Sequence, residues 1–251
     1  MHHLKIVAVI LAMVAPAMAA RPANAAQANV AVAANFTDAA NEIQAVFARS
    51  TGHEAVLSFG ATGQLYTQIS QGAPFDVFLA ADDERPALAV SEGYGVDGSV
   101  FTYAIGQLVL YSADASGVVG AETLRAGAFQ KLAIANPSTA PYGRAAVEAM
   151  KALGAFDSLE TKIVHGQSIA QAFQFVETGN AELGFVALGQ VSQMGSGSRW
   201  IVPQEYYGPI KQDAVLLKRG EDNEAAIAFL EFLKSEEATA IIRKFGYEAG
   251  L

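Results

Sequence analysis

The sequence predicts an α/β protein built from two doubly wound lobes, which are joined by two hinge crossings. Three observations support this fold class. Short apolar runs alternate with segments of helical period along most of the chain. The runs are almost continuously apolar, as expected of parallel strands that are buried on both faces. The alternation occurs once in each half of the chain, with a longer β-rich stretch between the halves.

The first 25 residues have the pattern of a secretory signal peptide. Lys5 supplies a positive charge, an apolar run follows over 6–20, and two small-x-small sites end at Ala19 and Ala25. The apolar run is shorter than the roughly 20 residues that a membrane-spanning helix needs. We therefore expect cleavage near Ala25 and export to the periplasm. A single membrane anchor is the alternative interpretation.

Composition excludes several classes of function. The 251 residues include no cysteine, so disulfides and thiolate metal sites are excluded. The net charge is −9, and cleavage would remove Lys5 and Arg21 and make the chain more acidic. An acidic protein is a poor binder of nucleic acid, and we expect no such partner. A bound anion would have to be held by local dipoles.

The first half of the mature chain follows a β-α-β-α-β-α pattern. Helical spacing begins after Asn35, which we predict to be a helix N-cap, and Asp82 or Asp83 is predicted to cap a later helix. The second helix ends at Gly72. The predicted strands are 30–34, 55–59 and 74–81, and the first predicted helix covers 36–50.

The second half repeats this layout. A β-rich stretch over 101–112 is predicted to be one strand that passes between the lobes. The predicted strands that follow are 132–135, 162–164, 183–187 and 214–217, and the predicted helices are 142–153, 168–177, 224–234 and 236–245. Because crossings are expected near 104–107 and 203–210, the first lobe is predicted to contain 26–105 and 208–251, and the second lobe 106–207.

Two such lobes place a cleft between the carboxyl ends of their sheets, where ligands bind in open α/β folds. Four strand-to-helix turns should face this cleft. Helix N-termini carry unpaired N–H groups and a positive dipole end, so they favour an anion. The turns are 34–37, 60–64, 140–144 and 166–170, and their side chains include Asn35, Thr62, Tyr142 and Ser168.

Each of these residues also has a purely structural interpretation, because Asn, Thr and Ser commonly cap helices and a Tyr ring commonly packs in a core. No catalytic residues are predicted. The motif at 195–198 has no strand leading into it, and the turn at 60–63 lacks the Lys of a P-loop. His165 lies near the fourth turn, where we expect a surface position, and four His residues indicate no metal cluster.

Five motifs follow one another in order along the chain. They are Val-Ala-Ala-Asn-Phe-Thr at 32–37, Ser-Phe-Gly-Ala-Thr-Gly-Gln-Leu at 58–65, a Gly-Ala-Pro-Phe-Asp-Val run from 72 to 82, Asn-Pro to Pro-Tyr-Gly at 136–143 and Ile-Arg-Lys-Phe-Gly-Tyr at 242–247. Together these motifs resemble those of the periplasmic molybdate-binding proteins of ABC importers. The resemblance covers essentially the whole mature chain.

The resemblance implies a fold like the type II periplasmic binding proteins and a ligand of molybdate or tungstate, with no cofactor. In that family the oxyanion is held by hydrogen bonds, without direct metal ligands or a basic residue. The implied hydrogen-bonding residues are chiefly Asn35, Thr62, Tyr142 and Ile169. The complete implied ligand-binding set is Ala34, Asn35, Ala61, Thr62, Gly63, Tyr142, Ser168 and Ile169.

Two positions depart from the common family pattern. Asn35 stands where many relatives have Ser, and Ala187 stands where some relatives have a Tyr hydroxyl. The departures fit an Asn-bearing subgroup of the family. The resemblance implies a monomer that delivers its ligand to membrane permease subunits. The alternatives are a binding protein for another tetrahedral oxyanion, such as sulfate, and, more remotely, a two-lobed hydrolase.

Overall fold

The computed structural model describes residues 25–250, so the predicted signal peptide lies almost wholly outside the described residues. No helix within 25–250 is both long and apolar enough to cross a membrane. The described strands are β1 (Gln27–Ala33), β2 (Glu54–Gly60), β3 (Val77–Leu79), β4 (Phe101–Gly106), β5 (Leu108–Ser112), β6 (Leu132–Ala135), β7 (Ile163–Gly166), β8 (Leu183–Ala187), β9 (Ser198–Ile201), β10 (Ile210–Leu216) and β11 (Glu248–Ala249).

Ten α-helices connect these strands within the described range. They are α1 (Thr37–Thr51), α2 (Thr62–Ser70), α3 (Glu84–Ser91), α4 (Ala121–Ala126), α5 (Pro141–Ala152), α6 (Phe156–Leu159), α7 (Ile169–Glu177), α8 (Leu188–Val191), α9 (Glu224–Leu233) and α10 (Glu236–Lys244). Short 3-10 helices cover Ala34–Phe36, Glu160–Lys162, Gln204–Tyr206 and Lys218–Gly220.

The strands form two mixed sheets, one in each lobe. The first sheet has the order β11-β4-β10-β3-β1-β2, and the second has the order β7-β6-β8-β5-β9. In each sheet three parallel strands lie next to an antiparallel strand, which is β10 beside β3 in the first sheet and β5 beside β8 in the second. The predicted two-lobed α/β fold is confirmed, and the lobes share one strand arrangement.

The predicted single strand over 101–112 is wrong in one respect. Gln107 divides it into β4 of the first sheet and β5 of the second sheet. The chain returns to the first sheet between β9 and β10. These two changes of sheet fall within the segments where crossings were expected, while the precise lobe boundaries remain a prediction.

Apolar packing explains why the two sheets meet at their carboxyl ends. The first sheet is covered by a core of side chains from the 3-10 helix Ala34–Phe36 and from α1, α9 and α10, among which Phe36, Phe47 and Phe229 are fully buried. The core of the second lobe extends across the cleft. It includes Ala34, Ala61 and Ala81 from the first lobe together with Ala140, Tyr142 and Ile169 from the second lobe. Small alanine side chains therefore allow the backbones of the two lobes to approach each other closely.

Candidate functional site

The four predicted turns converge on one cavity between the lobes. Its volume is about 10 Å³, which is about the space that one water molecule needs, so this arrangement has no room for a nucleotide or a sugar. The cavity is lined by Ala33, Ala34, Asn35, Gly60, Ala61, Thr62, Ala81, Ala140, Pro141, Tyr142 and Ile169. Six of the eight predicted ligand-binding residues lie in this lining, and Gly63 and Ser168 do not.

Backbone donors face this cavity because a helix or turn begins at each of its corners. Thr62, Tyr142 and Ile169 stand in the first turns of α2, α5 and α7. Within residues 25–250 their N–H groups donate to no other protein group, and the same holds for the N–H of Asn35. Unpaired N–H groups at helix N-termini are the donors that an anion accepts from.

Thr62 is a hydroxyl-bearing residue of the cavity lining. The residue is only 1% exposed, and its Oγ1 accepts a hydrogen bond from the Ala81 N–H at 3.0 Å. This bond occupies an oxygen lone pair and leaves the hydroxyl proton free to be donated. Thr62 therefore links the start of α2 to the segment after β3 by a hydrogen bond, and it can also donate its hydroxyl proton into the cavity.

The prediction that Asn35 caps α1 is wrong. Its side chain caps no helix, and the residue lies in the 3-10 helix Ala34–Phe36. Its amide Nδ2 instead donates to Gln212 Oε1 at 2.6 Å and to Tyr247 Oη at 3.2 Å. The amide belongs instead to a buried polar cluster, in which both of its N–H groups have acceptors.

Tyr142 presents its two polar groups to different places. The residue lines the cavity, and its N–H in the first turn of α5 has no acceptor within residues 25–250, whereas its ring is buried and its hydroxyl lies beside Gly106 of β4. Burial raises the pKa of the Tyr142 hydroxyl well above its ordinary value, so the group keeps its proton. Within the described chain this Oη has no hydrogen-bond partner.

Gly63 and Ser168 have other contacts. The Gly63 N–H donates across the cleft to the Thr139 carbonyl oxygen at 2.8 Å, so this group ties the two lobes together. The Ser168 side chain caps α7 by accepting from the Gln171 N–H at 3.4 Å, as expected of the structural alternative. Neither residue lines the cavity in this structure.

Charged groups lie beside the cavity rather than in its wall. Asp82 pairs with Arg85, and its Oδ1 accepts from the Arg85 N–H at 3.0 Å, so Asp82 rather than Asp83 satisfies the start of α3. Burial raises the pKa of Asp82, while the Arg85 guanidinium acts in the opposite direction. Arg144 of the second lobe forms an ion pair with Glu84 of the first at 3.3 Å. The cavity lining itself contains no Lys, Arg, Asp or Glu.

Two other expectations concern the surroundings. Ala187, at the position where some relatives have a Tyr, is fully buried and does not line the cavity. His165 is exposed on β7, as predicted. No group of three or more His, Asp or Glu residues within 25–250 is arranged to hold a metal ion.

A larger cavity of about 390 Å³ lies elsewhere in the second lobe, near Phe129, Val176 and Leu183. None of the predicted ligand-binding residues lines it. Its walls are formed mainly by apolar atoms, and it lies away from the turns at 34–37, 60–64, 140–144 and 166–170. The arrangement suited to a small anion is therefore the cavity between the lobes.

Comparison with known proteins agrees with this geometry. Residues 28–248 match the model of a family described as bacterial extracellular solute-binding protein. The chain belongs to this family. Its members bind solutes, so the prediction of a binding protein rather than an enzyme is confirmed.

Individual proteins are also similar to this chain. The molybdate-binding protein ModA of Rhodobacter capsulatus is 55% identical over 228 residues, which cover 91% of this chain and 90% of the relative. ModA of Azotobacter vinelandii is 53% identical over 233 residues, and the aligned region covers 90% of this chain and 91% of that relative. The solved structure of the Azotobacter vinelandii periplasmic molybdate-binding protein matches with a TM-score of 0.85 at 39% identity, over 88% of this chain and 98% of that chain.

Proposed function

We propose that this protein captures molybdate, and also tungstate, in the cavity between its lobes and delivers it to the membrane subunits of an ABC importer. The observation that carries the proposal is the convergence of unpaired N–H groups from four turns on one small cavity without a charged side chain. The names of the two relatives above 50% identity support molybdate as the ligand.

The proposed donors are neutral groups. Asn35, Thr62, Tyr142 and Ile169 would donate through their N–H groups, and Thr62 also through its hydroxyl; Ala34 and Ala61 complete the two turns of the first lobe. Hydrogen bonds to a charged acceptor contribute about 1.5–3 kcal/mol each. Several such bonds, with the helix dipoles, would offset the cost of removing water from a dianion. We do not include Gly63 and Ser168 among the direct donors, because neither residue lines the cavity and the Gly63 N–H donates to the Thr139 carbonyl oxygen.

Selectivity would follow from the lack of acceptors. A protonated phosphate carries an O–H that needs an acceptor, and a wall of donors would leave this group unpaired. Sulfate is also a dianion, but it is smaller than molybdate, so a rigid cavity would contact it less completely. The proposed order of affinity is therefore molybdate and tungstate first, sulfate next and phosphate last.

The transport cycle would use the two crossings as hinges. Binding would favour the closed arrangement because only that arrangement brings the donors of both lobes to the same ligand. The closed protein would then dock on the importer's membrane subunits. We propose that the protein works as a monomer in the periplasm after cleavage near Ala25, with lobes of 26–105 plus 208–251 and 106–207.

Isothermal titration calorimetry of the mature chain with molybdate, tungstate, sulfate and phosphate tests the proposal. We expect sub-micromolar affinity for molybdate and tungstate and much weaker binding of the other two anions. Sub-micromolar binding of sulfate without binding of molybdate would instead support the alternative oxyanion. Turnover of an ester substrate would support the hydrolase.

A further inference from the structure

A buried polar cluster lies directly behind the oxyanion cavity. Asn35 and Tyr247 of this cluster are less than 5% exposed, and Tyr103, Tyr142 and Gln212 are at most 1% exposed. The cluster joins the first cavity turn, both crossing strands β4 and β10, the chain end after α10 and α5 of the second lobe. Asn35 and Tyr142 are members of the cluster that also line the cavity.

The hydrogen bonds of the Asn35 side chain determine what it offers to a ligand. Both hydrogens of Nδ2 are directed at protein acceptors, Gln212 Oε1 at 2.6 Å and Tyr247 Oη at 3.2 Å. Tyr247 Oη in turn donates to the Asn35 carbonyl oxygen at 2.6 Å. The end of the amide without a hydrogen bond within the described residues is therefore the acceptor Oδ1, which would repel an oxyanion.

Two other atoms of the cluster lack partners. Gln212 Nε2 and Tyr142 Oη are buried and form no hydrogen bond within residues 25–250. Both lie at Gly106, where an added Cβ would overlap the Tyr142 hydroxyl and meet Gln212 Nε2 at 3.0 Å. A buried donor without a partner destabilises a structure, so the cluster is under-satisfied in this arrangement.

We propose that Gln212 is a positioning residue of the oxyanion site. Its side-chain amide rotates together with the Asn35 amide when the ligand binds. This inference rests on the proposed binding of an oxyanion in the cavity. In the turned arrangement each amide is rotated by half a turn. The present bond from Asn35 Nδ2 to Gln212 Oε1 is then replaced by a bond from Gln212 Nε2 to Asn35 Oδ1.

The turned arrangement gives the unpaired Gln212 Nε2 an acceptor, which is Asn35 Oδ1, and leaves Gln212 Oε1 in its place beside Gly106. Asn35 Nδ2 is released from both Gln212 and Tyr247 and donates to the oxyanion. The Tyr247 hydroxyl, which now donates to the Asn35 carbonyl oxygen, can donate to Asn35 Oδ1 instead.

The variant Gln212→Met tests this role, because methionine has a similar shape but neither donates nor accepts strongly. We expect molybdate affinity to fall at least tenfold by calorimetry and the unfolding midpoint to change little. Tyr111→Phe is the matched control, since this buried tyrosine bonds Glu177 in the second lobe, away from the cavity. If the unmodified chain binds molybdate tightly and Gln212→Met binds it equally well, the inference about Gln212 is overturned and the proposed function stands. If the unmodified chain does not bind molybdate, the proposed function is overturned as well.

A second substitution separates positioning from a structural effect. In Asn35→Ser the hydroxyl can rotate and donate without help from Gln212, so Gln212→Met should cost less than twofold in that background. An equal loss in both backgrounds overturns the inference. Side-chain amide NMR of the unmodified chain gives a readout that does not require variants. Molybdate should shift the Asn35 and Gln212 amide resonances together, and a shift of neither overturns the inference.

Discussion

The two turns of the first lobe and the two turns of the second lobe border the same cavity but offer it different chemistry. The first lobe presents buried polar side chains, Asn35 and Thr62, in addition to backbone N–H groups. The second lobe presents backbone N–H groups only, because the Tyr142 hydroxyl reaches Gly106 and Ile169 has no polar side chain.

This difference predicts different roles for the two lobes in anion binding. Side-chain donors have a defined direction and can be removed by one substitution, so the first lobe can set which anion fits. Backbone donors depend on the helix start rather than on residue type, so the second lobe should tolerate substitutions that keep its N–H groups. The largest losses are therefore expected in the first lobe.

Removal of the Thr62 hydroxyl should have the largest effect. Thr62→Val keeps the shape of the side chain but deletes a donor to the ligand and the acceptor of the Ala81 N–H. We expect molybdate affinity to fall at least tenfold, or about 1.4 kcal/mol. The unfolding free energy in urea should fall by about 1–3 kcal/mol, because the Ala81 N–H loses its partner.

Thr67→Val is the control for this prediction. Thr67 lies in the same helix, and its hydroxyl donates to the Gly63 carbonyl oxygen at 2.9 Å without lining the cavity. Its affinity for molybdate should match that of the unmodified chain. Equal losses in both variants would mean that the effect comes from α2 as a whole and that Thr62 makes no specific contact.

In the second lobe, Ile169→Pro should have the next largest effect. Proline fits the first position of a helix, and Ser168 has the extended conformation that proline requires of its predecessor, with φ of −138° and ψ of 171°. The substitution removes the N–H, so affinity should fall about tenfold by calorimetry, the loss of one charge-assisted hydrogen bond. Ile169→Val keeps the N–H and should bind within twofold of the unmodified chain. If the valine variant loses as much as the proline variant, the isoleucine side chain rather than its N–H matters.

A substitution at the close approach of Gly63 to Thr139, where the two lobes meet, should lower molybdate affinity less than the loss of either donor. In Gly63→Ala the added Cβ would lie 3.1 Å from the Thr139 Cα and carbonyl oxygen and 3.2 Å from the Arg85 guanidinium. The new methyl group resists closure but not folding, so we expect a three- to tenfold lower affinity and an unchanged unfolding midpoint without ligand. Gly195→Ala is the control, because its Cβ would have no neighbour within 4 Å. An unchanged affinity in Gly63→Ala would show that closure does not need this close approach.

The sequence was most informative where function depends on local structure. Thr62, Tyr142 and Ile169 could be placed because a helix start follows from a short pattern, and helix starts carry the backbone donors. The lining residues that were not predicted are Ala33, Gly60, Ala81, Ala140 and Pro141, although a proline at the first helical position marks the same turn as Tyr142.

The sequence was least informative where partners lie far apart in the chain. Asn35 before a helical run has the pattern of a cap, but its amide bonds Gln212 and Tyr247, which are distant in sequence and brought close only by the crossing strand β10 and the chain end. The Gly63 bond to Thr139 likewise joins two lobes. No short pattern encodes such pairs, because they depend on how the sheets meet.

The smallest effect is expected at the charged rim, where Arg144 pairs with Glu84 across the cleft. The two side chains are 50% and 64% exposed, and such exposed pairs contribute at most about 1 kcal/mol. Arg144→Gln should therefore weaken molybdate binding by no more than about twofold in low salt, and the difference should vanish as salt screens the pair. Arg125→Gln is the control, because it removes an ion pair that lies within α4. At each salt concentration this variant should bind molybdate with the affinity of the unmodified chain. A loss above tenfold that persists in high salt would mean that Arg144 contacts the anion, and the second lobe would then contribute a charged side chain as well as backbone donors.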